Sequence, residues 1–501
     1  MILLISFAVL GCIALFRLIQ RSIIWRRQFN ILERLPGPPL KYKILGHLKE
    51  AIVPPEELPT EMYKQFKDYG GIYRLWLVYY PTVFIAEAKY AEIFFTSEAT
   101  QAKPELYRML HVWLGLGLLT SKGQMWHERR KLLTPAFHFS KLNDFCEVFV
   151  KNTLTLVQQL HQYPDGSLID VFKIIKLLTL DNICESAMGI EINALKNPNN
   201  NYIRAIEDCI HMSQERIVKP WYWFDPAFFI MSYGKKYWRD LNTIFELTDK
   251  CYQLSRAKKK KKKKKKIDEL MAFLDLLLST CEDRSVSLSD EDLRDEVNTF
   301  MFEGHDTAAA SISFTLFLLG AYPEIQKKCY SELSEIFQDS NRRPSVEDLQ
   351  KMKYLEQVIK ESLRLFPSVP ILGREAAEDV IMDGYTIPKE TTILLNVYNL
   401  HRDPKVFPDP EKFDPERFCQ EQCSGRHPYS FVPFAAGPRN CIGKKFALME
   451  EKVILSHILR DYMLESEHGI DELQLSFQLI IRSQKSLNVF FHRRKSDLTQ
   501  L

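Results

Sequence analysis

The chain has 501 residues, of which 46% are hydrophobic and 12% aromatic, so it can bury a large core and is neither a disulfide miniprotein nor a disordered polymer. Its 67 basic and 64 acidic residues give a net charge of +3, but Lys258 to Lys266 is an unbroken run of nine lysines; without them 58 basic residues face 64 acidic ones. The basicity is therefore one local tract, which excludes a nucleic-acid-binding surface spread over the molecule.

At the amino terminus, Met1 to Phe16 carries no charge, and Leu18, Ile19, Ile23 and Ile24 continue the apolar pattern beyond Arg17. Arg17, Arg21, Arg26 and Arg27 all follow the run, no basic residue precedes it, and no small-residue cleavage site ends it. This pattern predicts a transmembrane signal anchor over 1–24, with everything downstream cytoplasmic. A basic and proline-rich hinge is expected over 25–40, where Pro36, Pro38 and Pro39 end any helix and stiffen the chain.

The body, 41–501, contains no repeat or linker apart from a lysine-rich segment, 256–266, expected to be a solvated loop. Strand patterns fall at Ile72 to Leu77, Thr82 to Ile85, Thr391 to Val397 and Leu487 to Phe491, and helical patterns dominate the remainder. The fold class expected is mainly α with small β-sheets, in one domain. The ten cysteines are scattered without a CxxC pair, and no N-glycosylation sequon occurs, which suits a reducing compartment.

A long helix is expected from about Ser289 to Gly320, opened by a Ser289/Asp292 capping box and stopped by Gly320 and Pro323. Into its apolar stretch are set Glu303, Gly304, His305, Asp306 and Thr307. Buried charge is costly unless it is used, so this cluster marks chemistry, and Gly304 opens space for something large and flat beside the backbone. Farther on, Phe434-Ala-Ala-Gly437-Pro-Arg439-Asn-Cys441-Ile-Gly443 precedes a helix expected from Lys444 to about Leu464. A cysteine at a helix amino terminus, beside Arg439 and between glycines, is placed to be a thiolate and an axial haem ligand. Other motifs fail on spacing: Gly437 to Gly443-Lys444 has one residue too many for a phosphate-binding loop, Gly115-Leu-Gly117 is not completed to GxGxxG, and neither HExxH nor GxSxG occurs.

Taken together these residues resemble a cytochrome P-450, a haem-thiolate monooxygenase, over essentially the whole chain. Phe434, Gly437, Arg439, Cys441 and Gly443 complete that family's FxxGxRxCxG motif, and three further signatures follow the family's order. Glu361-Ser-Leu-Arg364 is similar to its ExxR helix, and Pro415-Glu-Arg417-Phe is similar to the segment whose arginine joins the same charge network. Trp126-His-Glu-Arg-Arg130 matches WxxxR. The resemblance implies that Cys441 ligates the iron of haem b, that Trp126, Arg130, Arg439 and Arg374 serve its propionates, and that Asp306 and Thr307 manage protons during oxygen activation. The stretch Glu296 to Ala308 is similar to the signature of family 4, departing from it at Asn298 and Ala308. That likeness implies oxidation of a fatty acid or related lipid, and an ester between Glu303 and a haem methyl as in several members. Electrons from NADPH through cytochrome P-450 reductase are implied, with cytochrome b5 as a further partner, Lys444 and Lys445 on the docking face, and the endoplasmic-reticulum membrane as the location. A haem-thiolate isomerase or dehydratase working without O2, and a non-enzymatic haem sensor, stay open as alternatives.

Overall fold

The computed structural model describes residues 2–40, 42, 45–137, 142–197, 201–263, 274, 277, 288–338 and 340–494. It is mostly helical with small sheets. Three of the expected strands join one four-stranded sheet, whose fourth, Ile371–Glu375, no pattern announced: β1 (Ile72–Leu77) pairs antiparallel with β2 (Tyr80–Ile85), Ile72 opposite Ile85. The distant β5 (Thr392–Asn396) adds parallel to β2, and β4 (Ile371–Glu375) closes the order β1–β2–β5–β4. A second sheet has β9 (Asn488–Arg493) between β3 (Ser167–Asp170) and β6 (Tyr462–Ser466), and β7 (Leu475–Phe477) forms a hairpin with β8 (Ile481–Ser483).

The helical body surrounds α7 (Asp290–Ala321). Its start is the expected capping box: the Asp292 amide donates to Ser289 Oγ at 3.1 Å, and the Ser289 amide donates to Asp292 Oδ2 at 2.9 Å. Ile312, Phe314, Leu316, Phe317, Leu318 and Leu319 are wholly buried, each worth about 2 kcal/mol relative to exposure. Around α7 pack α4 (Val171–Ser186), α9 (Lys353–Leu365) and α10 (Lys444–Asp461). Phe314 stacks on Phe366, and Thr315 Oγ1 donates to Ser362 Oγ at 2.9 Å, so α7 and α9 cross with both apolar and polar fit.

Three expectations are corrected. The helix after Cys441 ends at Asp461 and not near Leu464, because Tyr462, Met463, Leu464 and Glu465 alternate buried and exposed and pair with β9 as β6. The hinge over 25–40 is helical in its first half: α1 runs Ile2–Leu32, with Trp25 and Phe29 packed on Trp76 and Gln28 Nε2 donating to the Lys389 carbonyl at 2.8 Å. The proline segment is also fixed, since Arg74 donates its amide to the Pro36 carbonyl and its guanidinium to the Pro38 carbonyl, both at 2.9 Å. The segment 256–266, expected as a loop, is helical up to Lys263, the end of α6 (Ser232–Lys263), and 264–266 lie outside the described residues.

Among the described residues no single helix is long and apolar enough to cross a membrane. α7 and the following helix, α8 (Pro323–Phe337), pass that test only as a pair bent by 109°, and the apolar residues of α7 are buried inside the protein.

Candidate active site

A cavity of about 450 Å³ lies between α7, β4 and the cysteine loop. Its walls are largely apolar, with Leu75, Phe84, Leu110, Phe300, Phe302 and Leu479 among them. Cys441, Phe434, Glu303, Gly304 and Thr307 line it, as do Trp126, Arg130, Arg374 and Arg439. Residues read from motifs hundreds of positions apart thus share one chamber.

The cysteine loop is closed by its own backbone: the Cys441 amide donates to the Phe434 carbonyl at 2.9 Å, and the Asn440 amide to the Gly437 carbonyl at 3.1 Å. Gly437 has φ +68°, and a Cβ there would sit 2.2 Å from the Phe95 carbonyl oxygen. The close approach this glycine permits is therefore that of a neighbouring backbone. Gly304 is a similar case, since the space of its missing side chain is taken by Ile183 of α4, 2.5 Å from a Cβ placed there. The glycine thus permits close helix packing at the cavity wall.

From α2 (Gly123–Leu133), Arg130 grips the loop with Nη1 to the Asn440 carbonyl at 2.7 Å and Nη2 to Asn440 Oδ1 at 2.6 Å. Arg439 lies over the Trp126 ring at 4.2 Å and donates to the Ser121 carbonyl at 2.8 Å. Burial pushes the Cys441 thiol up to about 11, and Glu303 adds to the rise; the Gly443 amide, Arg130 and Lys444 pull the other way and fall short. A metal cation on the sulfur would displace the proton outright.

The chamber is strongly cationic beside the loop. Lys103 and Arg374 are buried within reach of Arg439: burial lowers Arg374 to about 10, burial and Arg374 lower Arg439 to about 9, and burial with both arginines takes Lys103 well below its ordinary range. The Nε atoms of Arg374 and Arg439 have no hydrogen-bond acceptor. The buried Lys103 and Arg374 and the half-buried Arg439, with two guanidinium donors orphaned, call for anions, and the two carboxylates of haem b would supply them. Together with Cys441, these groups fit the haem. Sequence reasoning missed Lys103, because a single lysine before Pro104 carries no local signal and joins the others only through the fold.

Glu303 stands in the same chamber, its carboxyl raised to about 7 by burial and held back in part by Lys103. Thr307 donates Oγ1 to the Glu303 carbonyl at 2.7 Å. Neighbouring helical residues point about 100° apart, and Asp306 accordingly faces away from the cavity. It is fully buried, paired with Arg482 of β8 and with Lys176 of α4 at 3.5 Å, and these cations hold its carboxyl well below the usual range against the effect of burial. Lys176 reaches on to the half-exposed Glu207 at 2.8 Å.

Glu361, Arg364 and Arg417 meet as one buried group. Arg364 donates to Glu361 at 2.7 and 2.8 Å, and Arg417 Nε is 3.4 Å from the same carboxylate. Arg364 also donates to the carbonyls of His401, Pro410 and Lys412. His401, a residue no motif pointed to, accepts the Val432 amide on Nε2 at 2.9 Å and so ties this group to the start of the cysteine loop. Burial holds His401 neutral, at about 3.

A family model described as Cytochrome P450 matches residues 36–490. The chain is 41% identical to Cytochrome P450 4V2 of Homo sapiens over 97% of its own length and 95% of that protein's. It is 39% identical to Cytochrome P450 4c3 of Drosophila melanogaster, over 97% and 94% respectively. With Cytochrome P450 4c21 of Blattella germanica the identity is 36%, over 93% and 94%.

Proposed function

This chain belongs to the cytochrome P450 family, as a haem-thiolate monooxygenase, and from that premise we propose that it hydroxylates a lipophilic substrate, a fatty acid or related lipid, with electrons from NADPH through a reductase. The observation that carries the reading is a cysteine opening into a largely apolar chamber lined also by Thr307 and by the cluster of Lys103, Arg374 and Arg439. When bound, the haem supplies O2 activation and C–H oxidation. The protein's share is to ligate through Cys441, to neutralise the cofactor's carboxylates with Arg374, Arg439 and Lys103, and to hold the substrate in a dry pocket.

Thr307 brings a hydroxyl to the chamber, able to accept a proton as it releases one. Asp306 works behind it, where Lys176 and then Glu207 extend the polar path to solvent. Trp126 and Arg130 act on the cofactor through the loop they brace. The apolar amino-terminal helix anchors the enzyme at the endoplasmic reticulum, and Lys444 and Lys445 contribute to docking of the reductase or cytochrome b5.

Turnover tests the reading. With NADPH, reductase and 18O2, a lipid panel should yield hydroxylated product carrying one labelled atom, and Thr307→Ala should lower its formation about a hundredfold. Rearranged product without O2 or reductase would identify an isomerase, and no product at all would point to a sensor. An ester from Glu303 to a haem methyl is a separable claim: acid–organic extraction should leave haem on the polypeptide, and complete extraction contradicts it.

A further inference from the structure

Two adjacent acids on α10, Glu450 and Glu451, are buried inside the protein. The groups acting on them are uncharged or acidic: Asn182 and Glu451 on Glu450, and Ser311 on Glu451. Burial raises both carboxyls to about 8, so both carry protons at neutral pH. Glu451 lines the cavity with Ser311, which lies one turn beyond Thr307 on the same face of α7. From Glu450 the polar contacts run outward. Asn182 of α4 donates Nδ2 to Glu450 Oε1 at 2.8 Å, and Asn152 of α3 (Leu142–Leu160) donates Nδ2 to Asn182 Oδ1 and to Glu185 Oε2, each at 3.1 Å. Glu185 in turn accepts from the exposed Lys151 at 2.6 Å. Oε2 of Glu450 and Oε2 of Glu451 have no hydrogen-bond partner, and buried orphan oxygens of this kind call for donors such as water. Apolar side chains would fill this helix face without the cost of burying two acids, so packing does not account for them.

From this arrangement we infer that Glu451, reprotonated through Glu450, is a second proton donor to the cavity, and that Asn182, Asn152 and Glu185 mark its path to solvent. The inference rests on the monooxygenase reading and adds to it an entry separate from Asp306, Lys176 and Glu207. Monooxygenation reduces one atom of O2 to water, so each turnover draws two protons and two electrons into the cavity, the electrons from NADPH. The Glu451 carboxyl releases its proton past Ser311 toward the Thr307 hydroxyl. Glu450 returns one to the carboxylate through water on the two orphaned oxygens, and is itself refilled from solvent at the Glu185 rim. The asparagines hold the carboxyls in line and exchange no proton themselves.

The test has two readouts on the holoenzyme, each preparation first checked by its reduced carbon monoxide spectrum. The infrared spectrum at neutral pH should show protonated-carboxyl bands that shift in D2O and lose intensity in Glu451→Gln and in Glu450→Gln. During turnover of a lipid that the unmodified protein hydroxylates, Glu451→Gln should lower product per NADPH about tenfold, with hydrogen peroxide released in its place and a larger solvent isotope effect. Glu451→Asp, which keeps a titratable group, should restore most of the product. Glu450→Gln carries the same test should Glu451→Gln not hold haem. Bands that stay in place in D2O or survive both substitutions overturn the inference, and so do unchanged coupling and isotope effect in Glu451→Gln. With the thiolate band present and lipid hydroxylated by every variant alike, only the proton route falls. With no lipid hydroxylated by the unmodified protein, the monooxygenase reading falls, and the infrared bands alone decide whether the buried acids hold and exchange protons.

Discussion

Glu361 has one carboxylate and three demands on it, from Arg364, Arg417 and the Asp414 amide at 2.9 Å. Replacing it with alanine leaves two buried guanidinium groups short of a counter-charge, a loss of about 3–5 kcal/mol. Because the same group holds His401 and thereby Val432, Glu361→Ala should release haem at denaturant concentrations that leave the unmodified holoenzyme intact, followed by Soret absorbance. Glu450 makes a second, pH-dependent case. It is fully buried, accepts from Asn182 Nδ2 at 2.8 Å, and its carboxyl is raised to about 8 by burial and by Glu451. A carboxyl whose folded value is raised favours the folded state while protonated, so its contribution is lost as pH rises from the ordinary carboxyl range through about 8. Glu450→Gln should flatten this fall and stabilise the protein at pH 8 by roughly 2 kcal/mol, measured by denaturant titration at several pH values. Loss of stability in Glu450→Gln at pH 8 would contradict it. Residues of this kind separate what the sequence discloses from what it does not. Glu361 and Arg364 are three apart on one helix, so their pairing is legible from spacing. Lys103 acquires its partners only when segments hundreds of residues apart are folded together, and His401 meets Arg364 and Val432 across 37 and 31 residues with no motif to announce it.

Among the elements, α7 was the most legible, because its cap, its apolar length and its stop are all local signals. What its sequence concealed was direction. Asp306 and Thr307 read as one functional pair, yet the helix turns them to different sides, Thr307 to the cavity and Asp306 to Lys176 and Arg482. The partner on β8 makes Asp306 a fastening for the hairpin, whose Gln478, Leu479 and Ile480 line the cavity. Arg482→Met should therefore loosen that wall while leaving Thr307 in place. Faster amide exchange over 475–483 and weaker lipid binding, with an unchanged carbon monoxide spectrum, is the expected result; unaltered exchange would refute the fastening. The carboxy-terminal helix shows the opposite limit. Its apolar residues continue past Asp461, and only pairing with β9 makes Tyr462 to Ser466 a strand.

At the scale of the molecule, the sheet region and the helical body each bury their own core, and the chamber forms where β4, α7 and the cysteine loop meet. The single domain was legible from composition and the absence of linkers, but the attachment of α1 was not. Trp25, Phe29 and Leu32 read as part of a hinge, yet they dock on the sheet core, with Arg27 paired to Asp379. The amino-terminal helix thus leaves the body along a set direction. All of this organisation converges on Cys441, and the central claim is that its sulfur ligates haem iron. The most direct test is the difference spectrum of dithionite-reduced protein with and without carbon monoxide. The account predicts the strongly red-shifted Soret band of a thiolate-ligated ferrous complex, abolished by Cys441→Ala. A band at the position of histidine-ligated haem, or no haem signal from folded protein, would contradict it.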